Sequence, residues 1–155
     1  MYRRFESPIG KIFIASDGES LTGLWFENQK FFPKNLGDEI DLEIFDQTID
    51  WLEIYFSGKN PEFTPRIKIE GTDFQKTVWK YLQQIPFGKL ETYGNIAKNL
   101  KTSARAVGNA VAKNPISIIV PCHRVIGANG KLTGYAGGID RKNFLLELES
   151  RSSEK

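Results

Sequence analysis

The residues with the clearest potential for chemistry are two neighbours, Cys122 and His123, the only cysteine and the only histidine among 155 residues. A thiol attacks as its thiolate, and an ordinary cysteine is mostly protonated at neutral pH. A nucleophilic Cys122 would therefore need a base or a positive environment, for which His123 and Arg124 are candidates, although adjacency in sequence does not aim a side chain. The alternative is an unreactive buried thiol, which is the usual state of a lone intracellular cysteine.

The same two residues exclude two structural uses of cysteine. One cysteine cannot form an internal disulfide bond. One cysteine and one histidine also cannot build an ordinary zinc site. We therefore expect no metal and no other cofactor.

The segments that must position this pair read as short helices. Thr92 is placed to cap a helix from Tyr93 to Leu100, and Thr102 or Ser103 to cap a second helix that begins at Ala104 and ends near Lys113. Two short helices joined by a tight turn are typical of a helix-turn-helix.

Arg105 lies in the first turn of the second helix, where recognition helices contact DNA. Small residues such as Gly108 would let this helix approach another surface closely, either DNA or a neighbouring helix. Asn114-Pro115 ends the helix. Ile116 to Val120 then reads as a short buried strand-like run that leads to Cys122.

The first half of the chain has a different pattern. Turns around Pro8 and Gly18 separate three short apolar strands, the last from Leu21 to Phe26, which predicts an antiparallel meander. Apolar residues then recur at three and four positions from Glu39 to Phe56, which predicts one helix. A proline-rich segment follows, and we expect a domain boundary near Gly71.

Charge is divided unevenly between these halves. Residues 1–71 carry a net charge of −5 and residues 72–155 a net charge of +7, which together give the overall +2. The division indicates that the C-terminal half contacts a polyanion, unless it is only a chance distribution of surface charge. No apolar run is long enough to span a bilayer and no signal-peptide core precedes the first strand, so we expect a cytoplasmic protein without a membrane partner.

Several motifs of the second half resemble the O6-alkylguanine-DNA alkyltransferases. They are IPFGKLETYGNIAK, SARAVGNAVAKNP, IVPCHRVIG and TGYAGGIDRKNFLLELE, which together cover roughly Thr72 to Glu149. The resemblance implies an α/β N-terminal domain over residues 1–71, with a small antiparallel sheet plus a helix in an RNase H-like arrangement. It implies a mostly α, winged helix-turn-helix domain over residues 72–155.

The resemblance also implies an activity. Members of the family bind double-stranded DNA through its minor groove with little sequence specificity and flip the damaged base out of the stack. They transfer the alkyl group from O6 of guanine, and by extension from O4 of thymine, irreversibly to a cysteine. Such a protein is a single-use methyltransferase, and we expect it to act as a monomer.

Five residues match the family's catalytic positions. Cys122 matches the alkyl acceptor, and His123 matches the base that acts through a water. Glu149 matches the carboxylate behind that histidine, Tyr93 the proton donor to the leaving guanine, and Asn114 the residue that holds the turn before the cysteine. Each of the last three has a plainer alternative: a solvated helix-end carboxylate, a core tyrosine and a helix C-cap, respectively.

Other residues match the family's binding positions. Arg105 matches the finger residue that fills the space left by the flipped base. The remaining expected DNA contacts are Thr92, Ser103, Ala104, Gly108, Lys113 and Arg124. The expected pocket for the base consists of Val111, Val125, Tyr135, Ala136 and Gly137, the last three in a lid.

Two departures from the family pattern bear on these expectations. Ala136 occupies a position where many relatives carry a serine that hydrogen-bonds the guanine oxygen. Some relatives also hold zinc in the N-terminal domain, which this chain cannot do. Two other classes stay open: a DNA-binding module without activity, which the presence of Cys122 opposes, and a thiol hydrolase, which leaves the helix-turn-helix unexplained.

Overall fold

The computed structural model describes residues 1–153, with side chains as far as Arg151, and its first half is built on a three-stranded sheet. The strands are β1 (Tyr2–Ser7), β2 (Gly10–Ser16) and β3 (Leu21–Phe26), and they pair in the order β1-β2-β3 with both pairs antiparallel. The predicted meander and the bounds of its third strand are confirmed. Residues 154 and 155, the end of the predicted second domain, lie outside the described residues.

One helix, α1 (Glu43–Phe56), packs on this sheet with the apolar face that the sequence predicts, which includes Phe45, Leu52 and Tyr55. The predicted start at Glu39 was wrong. Residues 38–40 are extended instead, because the amide of Tyr2 donates to the carbonyl of Asp38 and the amide of Ile40 donates to the carbonyl of Tyr2, both at 3.0 Å. These bonds use the backbone groups that a helix would need.

The second half is mostly helical. Its helices are α2 (Asp73–Leu82), α3 (Tyr93–Leu100), α4 (Ala104–Ala112) and α5 (Ile139–Ser153), and its two-residue strands β4 (Glu91–Thr92) and β5 (Val125–Ile126) pair in parallel. The predicted small sheet with a helix, followed by a helical domain, is confirmed as the fold class.

Side-chain caps set the starts of three of these helices. The Thr72 hydroxyl accepts from the amide of Gln75, and the amide of Thr72 donates to the side-chain oxygen of Gln75. The hydroxyls of Thr92 and Ser103 accept from the amides of Asn95 and Ala106 at the starts of α3 and α4, so Ser103 rather than Thr102 is the second cap. Each hydroxyl satisfies one amide that has no partner within the helix.

The segment between α4 and the cysteine is buried as predicted, but only its first residue is strand-like. Ile116 bridges to Leu24, whereas Ser117 to Val120 form turns with Ile118 in the left-handed region at φ 69°. A straight strand would not reverse the direction of the chain here. The turns fold it back so that Cys122 lies within the core.

The two halves share one core, and a backbone pairing joins them beside the cysteine. The amide of Leu24 in β3 donates to the carbonyl of Pro115 at 2.8 Å, and the amide of Ser117 donates back to Leu24 at 3.1 Å. Buried apolar residues from both halves form one contiguous cluster. Within residues 1–153, no helix is long and apolar enough to cross a membrane.

Candidate active site

A turn held by Asn114 presents Cys122. The Asn114 amide donates to the carbonyl of Val120 at 2.8 Å, and its side-chain oxygen accepts from the amide of Ile116 at 3.0 Å. Both ends of the turn are therefore fixed by one buried side chain. A single 3-10 turn, Cys122–Arg124, follows and buries all three of its residues.

Glu149 on α5 accepts hydrogen bonds from the polar groups around this turn. Its Oε2 lies 2.5 Å from Nε2 of His123, and its Oε1 accepts from Nε of Arg124 at 2.8 Å and from the amide of Gly88 at 3.0 Å. The hydroxyl of Tyr55, on α1, donates to Oε2 at 2.5 Å. A carboxylate with this many donors is well satisfied although it is only 1% exposed.

The charges of this group follow from its burial and partners. Burial opposes ionisation of Glu149, but the charges and hydrogen bonds of His123 and Arg124 outweigh it and hold the pKa of this carboxyl well below its usual range. Burial lowers the pKa of His123, although the charge of Glu149 partly counteracts it. At neutral pH we therefore assign an ionised Glu149 and a neutral His123.

The tautomer of His123 follows from the same contacts. Because Nε2 faces a carboxylate, it carries the proton, and Nδ1 keeps its lone pair. Nδ1 is buried and has no hydrogen-bond partner among the described residues. The ring is thus prepared to accept one proton on Nδ1.

The environment of Cys122 contains opposing effects. Burial raises the pKa of its thiol, while hydrogen bonding from Asn114 and the positive charge of Lys142 lower it. Only 4% of the residue is exposed. The thiol therefore stays protonated until a base acts on it, and the thiolate that forms has a cation nearby.

Lys142, which the sequence analysis did not single out, supplies that cation from α5. Its Nζ donates to the carbonyls of Val125 at 2.5 Å and Thr133 at 3.0 Å. Burial lowers its pKa to about 8, and the charge of Cys122 counteracts this. The signal in the sequence is its spacing: it precedes Glu149 by seven residues, or two helical turns, and so shares a helix face with it.

A cavity of about 540 Å³ lies between α3, α4 and the loop before α5. Tyr93, Arg105, Gly134, Tyr135 and Ala136 are among its lining residues. Burial raises the pKa of Tyr93, so its hydroxyl keeps its proton. The volume is typical of sites for small molecules, and a phenol, a cation and apolar walls face it.

Two more lining residues, Lys30 and Phe31, come from the first half of the chain and were missed by the sequence analysis. Phe31 is 61% exposed and adopts φ 62°, a conformation that is strained for an aromatic residue. The amide of Lys30 donates to the carbonyl of Ala136 at 3.0 Å. This bond ties the loop after β3 to the predicted lid.

The lid needs a glycine next to Ala136. A side chain on Gly137 would place its Cβ 2.8 Å from the rings of both Phe26 and Tyr135. These rings lie edge to face with centroids 6.4 Å apart. Gly137 therefore allows the lid to lie against β3.

The predicted DNA-contacting residues are placed in three ways. Ala104, Arg105 and Gly108 face the cavity from the start of α4, and Arg105 is exposed. The hydroxyls of Thr92 and Ser103 are occupied by their caps. Lys113 is exposed at the opposite end of α4.

One sequence-based assignment needs correction. Arg124 is not on the surface: it is 8% exposed and donates to Glu149 and, at 2.7 Å, to the carbonyl of Ile85, so it is a structural cation and not a DNA contact. Val111 and Val125 are buried in the core, and Gly137 supports the lid. Like Cys122, these three residues are not among those that line the cavity, and their assignment to the base pocket stays a prediction.

Among the described residues, no group of three or more cysteine, histidine or acidic side chains is placed to hold a metal ion.

Family models match both halves of the chain. Residues 1–69 match the ribonuclease-like domain of 6-O-methylguanine DNA methyltransferase, and residues 73–151 match its DNA-binding domain. The chain belongs to the 6-O-methylguanine DNA methyltransferase family. This agrees with the resemblance in the sequence motifs.

Individual methyltransferases of this family align over nearly the whole chain. A methylated-DNA–protein-cysteine methyltransferase of Mycobacterium bovis is 49% identical over 96% of this chain and 91% of its own length. One of Methanosarcina acetivorans is 47% identical over 96% of this chain and 97% of its own length.

Solved structures of the family have the same fold. A Mycobacterium tuberculosis OGT in complex with DNA superposes with a TM-score of 0.88 at 48% identity, covering 97% of this chain and 93% of that one. An O6-methylguanine DNA methyltransferase of Methanococcus jannaschii gives a TM-score of 0.71 at 32% identity, with the same coverage of both chains.

Proposed function

We propose that this protein repairs DNA by moving an alkyl group from O6 of guanine onto Sγ of Cys122, once per molecule. The observation that carries the proposal is the arrangement around Cys122. A buried thiol is followed by a neutral histidine whose Nδ1 has no partner within the part of the chain that the structure describes, and a cavity that can take a base lies next to Tyr93 and Arg105. Family membership and the DNA complex of the Mycobacterium tuberculosis relative support the same activity.

In the proposed reaction, Nδ1 of His123 takes the thiol proton through a water while Glu149 holds Nε2. The thiolate attacks the alkyl carbon, so that the S–C bond forms as the C–O6 bond breaks. Tyr93 gives a proton to the departing guanine, which leaves as a neutral purine. Alkylated O4 of thymine can react in the same way, because it also leaves as a neutral base.

The DNA-contacting face is proposed to be the start of α4. Its small residues suit the narrow minor groove, and the exposed guanidinium of Arg105 can fill the space that a flipped base leaves. Contacts of this kind read the opened site and not its neighbours, which supports little sequence specificity. We further propose a division into domains near Gly71, a monomer in solution and action in the cytoplasm.

Mass spectrometry tests this function directly. We expect a duplex with one O6-methylguanine to add a single methyl group to the peptide that contains Cys122, with a limit of one lesion per molecule. The matched variant Cys122→Ala should bind the duplex and repair nothing. Repair by that variant, or turnover beyond one lesion per molecule, would contradict the proposal.

A further inference from the structure

Tyr55 reaches the candidate active site from the opposite half of the chain. It lies on α1, is completely buried, and its hydroxyl is 2.5 Å from Oε2 of Glu149 and 3.4 Å from Nε2 of His123. Its ring stacks on Trp51 with centroids 5.3 Å apart and contacts Phe87 edge to face at 6.0 Å. These rings hold the hydroxyl in one place.

The hydroxyl of Tyr55 is a permanent donor to Glu149. Burial, reinforced by the charge of Glu149, raises the pKa of Tyr55 well above its usual value. Because the phenol does not ionise in the ordinary pH range, it can serve Oε2 only by donating its proton. Hydrogen bonds that a charged carboxylate accepts are stronger than those between neutral groups.

We propose that Tyr55 is a positioning residue for the alkyl-transfer reaction, because its hydroxyl fixes Glu149 and takes up part of the carboxylate charge. This keeps the attraction between Glu149 and His123 strong enough to orient the ring but too weak to protonate it. His123 thus keeps Nδ1 available as the base. The inference rests on the proposed function and adds the first half of the chain to its machinery.

The direction of the effect follows from the charges that face His123. Glu149 on α5 favours the imidazolium form, while Arg124 in the active-site turn and Lys142 on α5 disfavour it. Cys122 lies beside it in the chain, and Tyr55 faces it from α1. If the hydroxyl of Tyr55 is lost, Glu149 acts on His123 with less of its charge compensated. The imidazolium form is then stabilised, and a protonated His123 cannot accept the thiol proton.

The variant Tyr55→Phe tests this, since it keeps the ring contacts and removes only the hydroxyl. His123 is the single histidine of the chain, so its imidazole signals in an NMR titration are unambiguous. We expect His123 to titrate at higher pH in the variant than in the wild type. We also expect the single-turnover rate with an O6-methylguanine duplex to fall roughly three- to tenfold on the acidic side and to approach the wild-type rate at alkaline pH.

Tyr81→Phe is the matched control. It removes a hydroxyl that donates to a different carboxylate, Glu91, at 3.3 Å and away from Glu149. This variant should leave both the titration of His123 and the pH profile unchanged. A folded Tyr55→Phe protein with the wild-type titration and the wild-type acidic limb would overturn the proposal, because a purely structural hydroxyl would affect stability alone.

Two further measurements keep the test decisive. Replacing Tyr55 by 3-fluorotyrosine makes the phenol a stronger donor and should shift the titration of His123 to lower pH, so an unchanged or upward shift counts against the proposal even if Tyr55→Phe does not fold.

Alkylation of Cys122 by iodoacetamide, followed against pH, needs no DNA. If the wild type fails to accept a methyl group from DNA, the proposed function fails, while the iodoacetamide and NMR results still decide the role of Tyr55.

Discussion

At the scale of single residues, the buried thiol of Cys122 must meet two opposing requirements. Burial keeps Cys122 protonated and protected, yet the reaction needs its thiolate. In the proposed reaction two groups resolve this conflict: His123, as the base that takes the proton, and Lys142, whose charge favours the negative sulfur that results. The first was visible as a sequence neighbour. The second was not, because it lies 20 positions further along the chain than the cysteine.

Lys142→Met tests the second group while keeping a long side chain in place. We expect the reactivity of Cys122 at pH 7 to fall about tenfold, because the thiolate loses a nearby cation worth about 1.4 kcal/mol. The difference should shrink above pH 8, since burial lowers the pKa of Lys142 to about 8 and the wild type loses the same charge there. The measurement is the iodoacetamide rate against pH. Lys76→Met, on the exposed face of α2, is the control, and an equal loss at pH 7 and pH 10 would be inconsistent with this role.

At the scale of elements, regular periodicity was predictable and irregular backbone was not. The bounds of β3 and the buried face of α1 follow from short-range patterns of apolar residues. The late start of α1 and the turns after Ile116 depend on bonds to distant strands, which no local pattern contains. Arg124 was misassigned for the same reason: a cationic residue next to the cysteine is typical of a DNA contact until its partner Glu149 is placed beside it.

The start of α4, our proposed DNA-contacting face, allows DNA binding to be tested separately from alkyl transfer. We expect Arg105→Ala to slow repair of a duplex lesion at least about tenfold, because the opened stack loses the side chain that fills it, at a cost of a few kcal/mol for unstacking. Reaction with the free base O6-benzylguanine should change little, since no stack has to be opened. Single-turnover rates on both substrates measure this. Arg151→Ala, an exposed arginine on α5, is the control, and equal losses on both substrates would place Arg105 in the chemical step instead.

At the scale of the whole molecule, Glu149 connects, through its hydrogen bonds, segments that are far apart in the chain. It binds Tyr55 from α1, Gly88 from the loop after α2, and His123 and Arg124 from the active-site turn. A prediction from sequence can identify such a carboxylate by resemblance. It cannot show that the same group also holds the fold together, because that depends on which side chains the fold brings within 3 Å.

Glu149→Gln should therefore destabilise the protein as a whole. We expect a loss of about 3–5 kcal/mol in the free energy of unfolding at pH 7, since Arg124 is left buried without its charged partner. The pKa of Glu149 is held below its unfolded value, so its contribution is complete above about pH 4.3 and is lost as pH falls through the folded pKa. The gap between variant and wild type should consequently narrow in acid.

Urea unfolding followed by circular dichroism at several values of pH measures that gap. Glu147→Gln, an exposed change on the same helix, should cost almost nothing, as expected for a solvated carboxylate. A gap of constant size between pH 7 and pH 3 would show that the stability contributed by Glu149 does not depend on its charge.

The pairing of β3 with the segment before the cysteine has a consequence for recombination between relatives. The bonds of Leu24 with Pro115 and Ser117 join backbone groups, so a chimaera that took its first half from one relative and its second half from another could form them whatever its side chains. The bond from Tyr55 to Glu149 has no such tolerance. A donated first half would thus keep the backbone pairing with any sequence, but it would also have to supply a tyrosine at this position and apolar residues that complete the shared core.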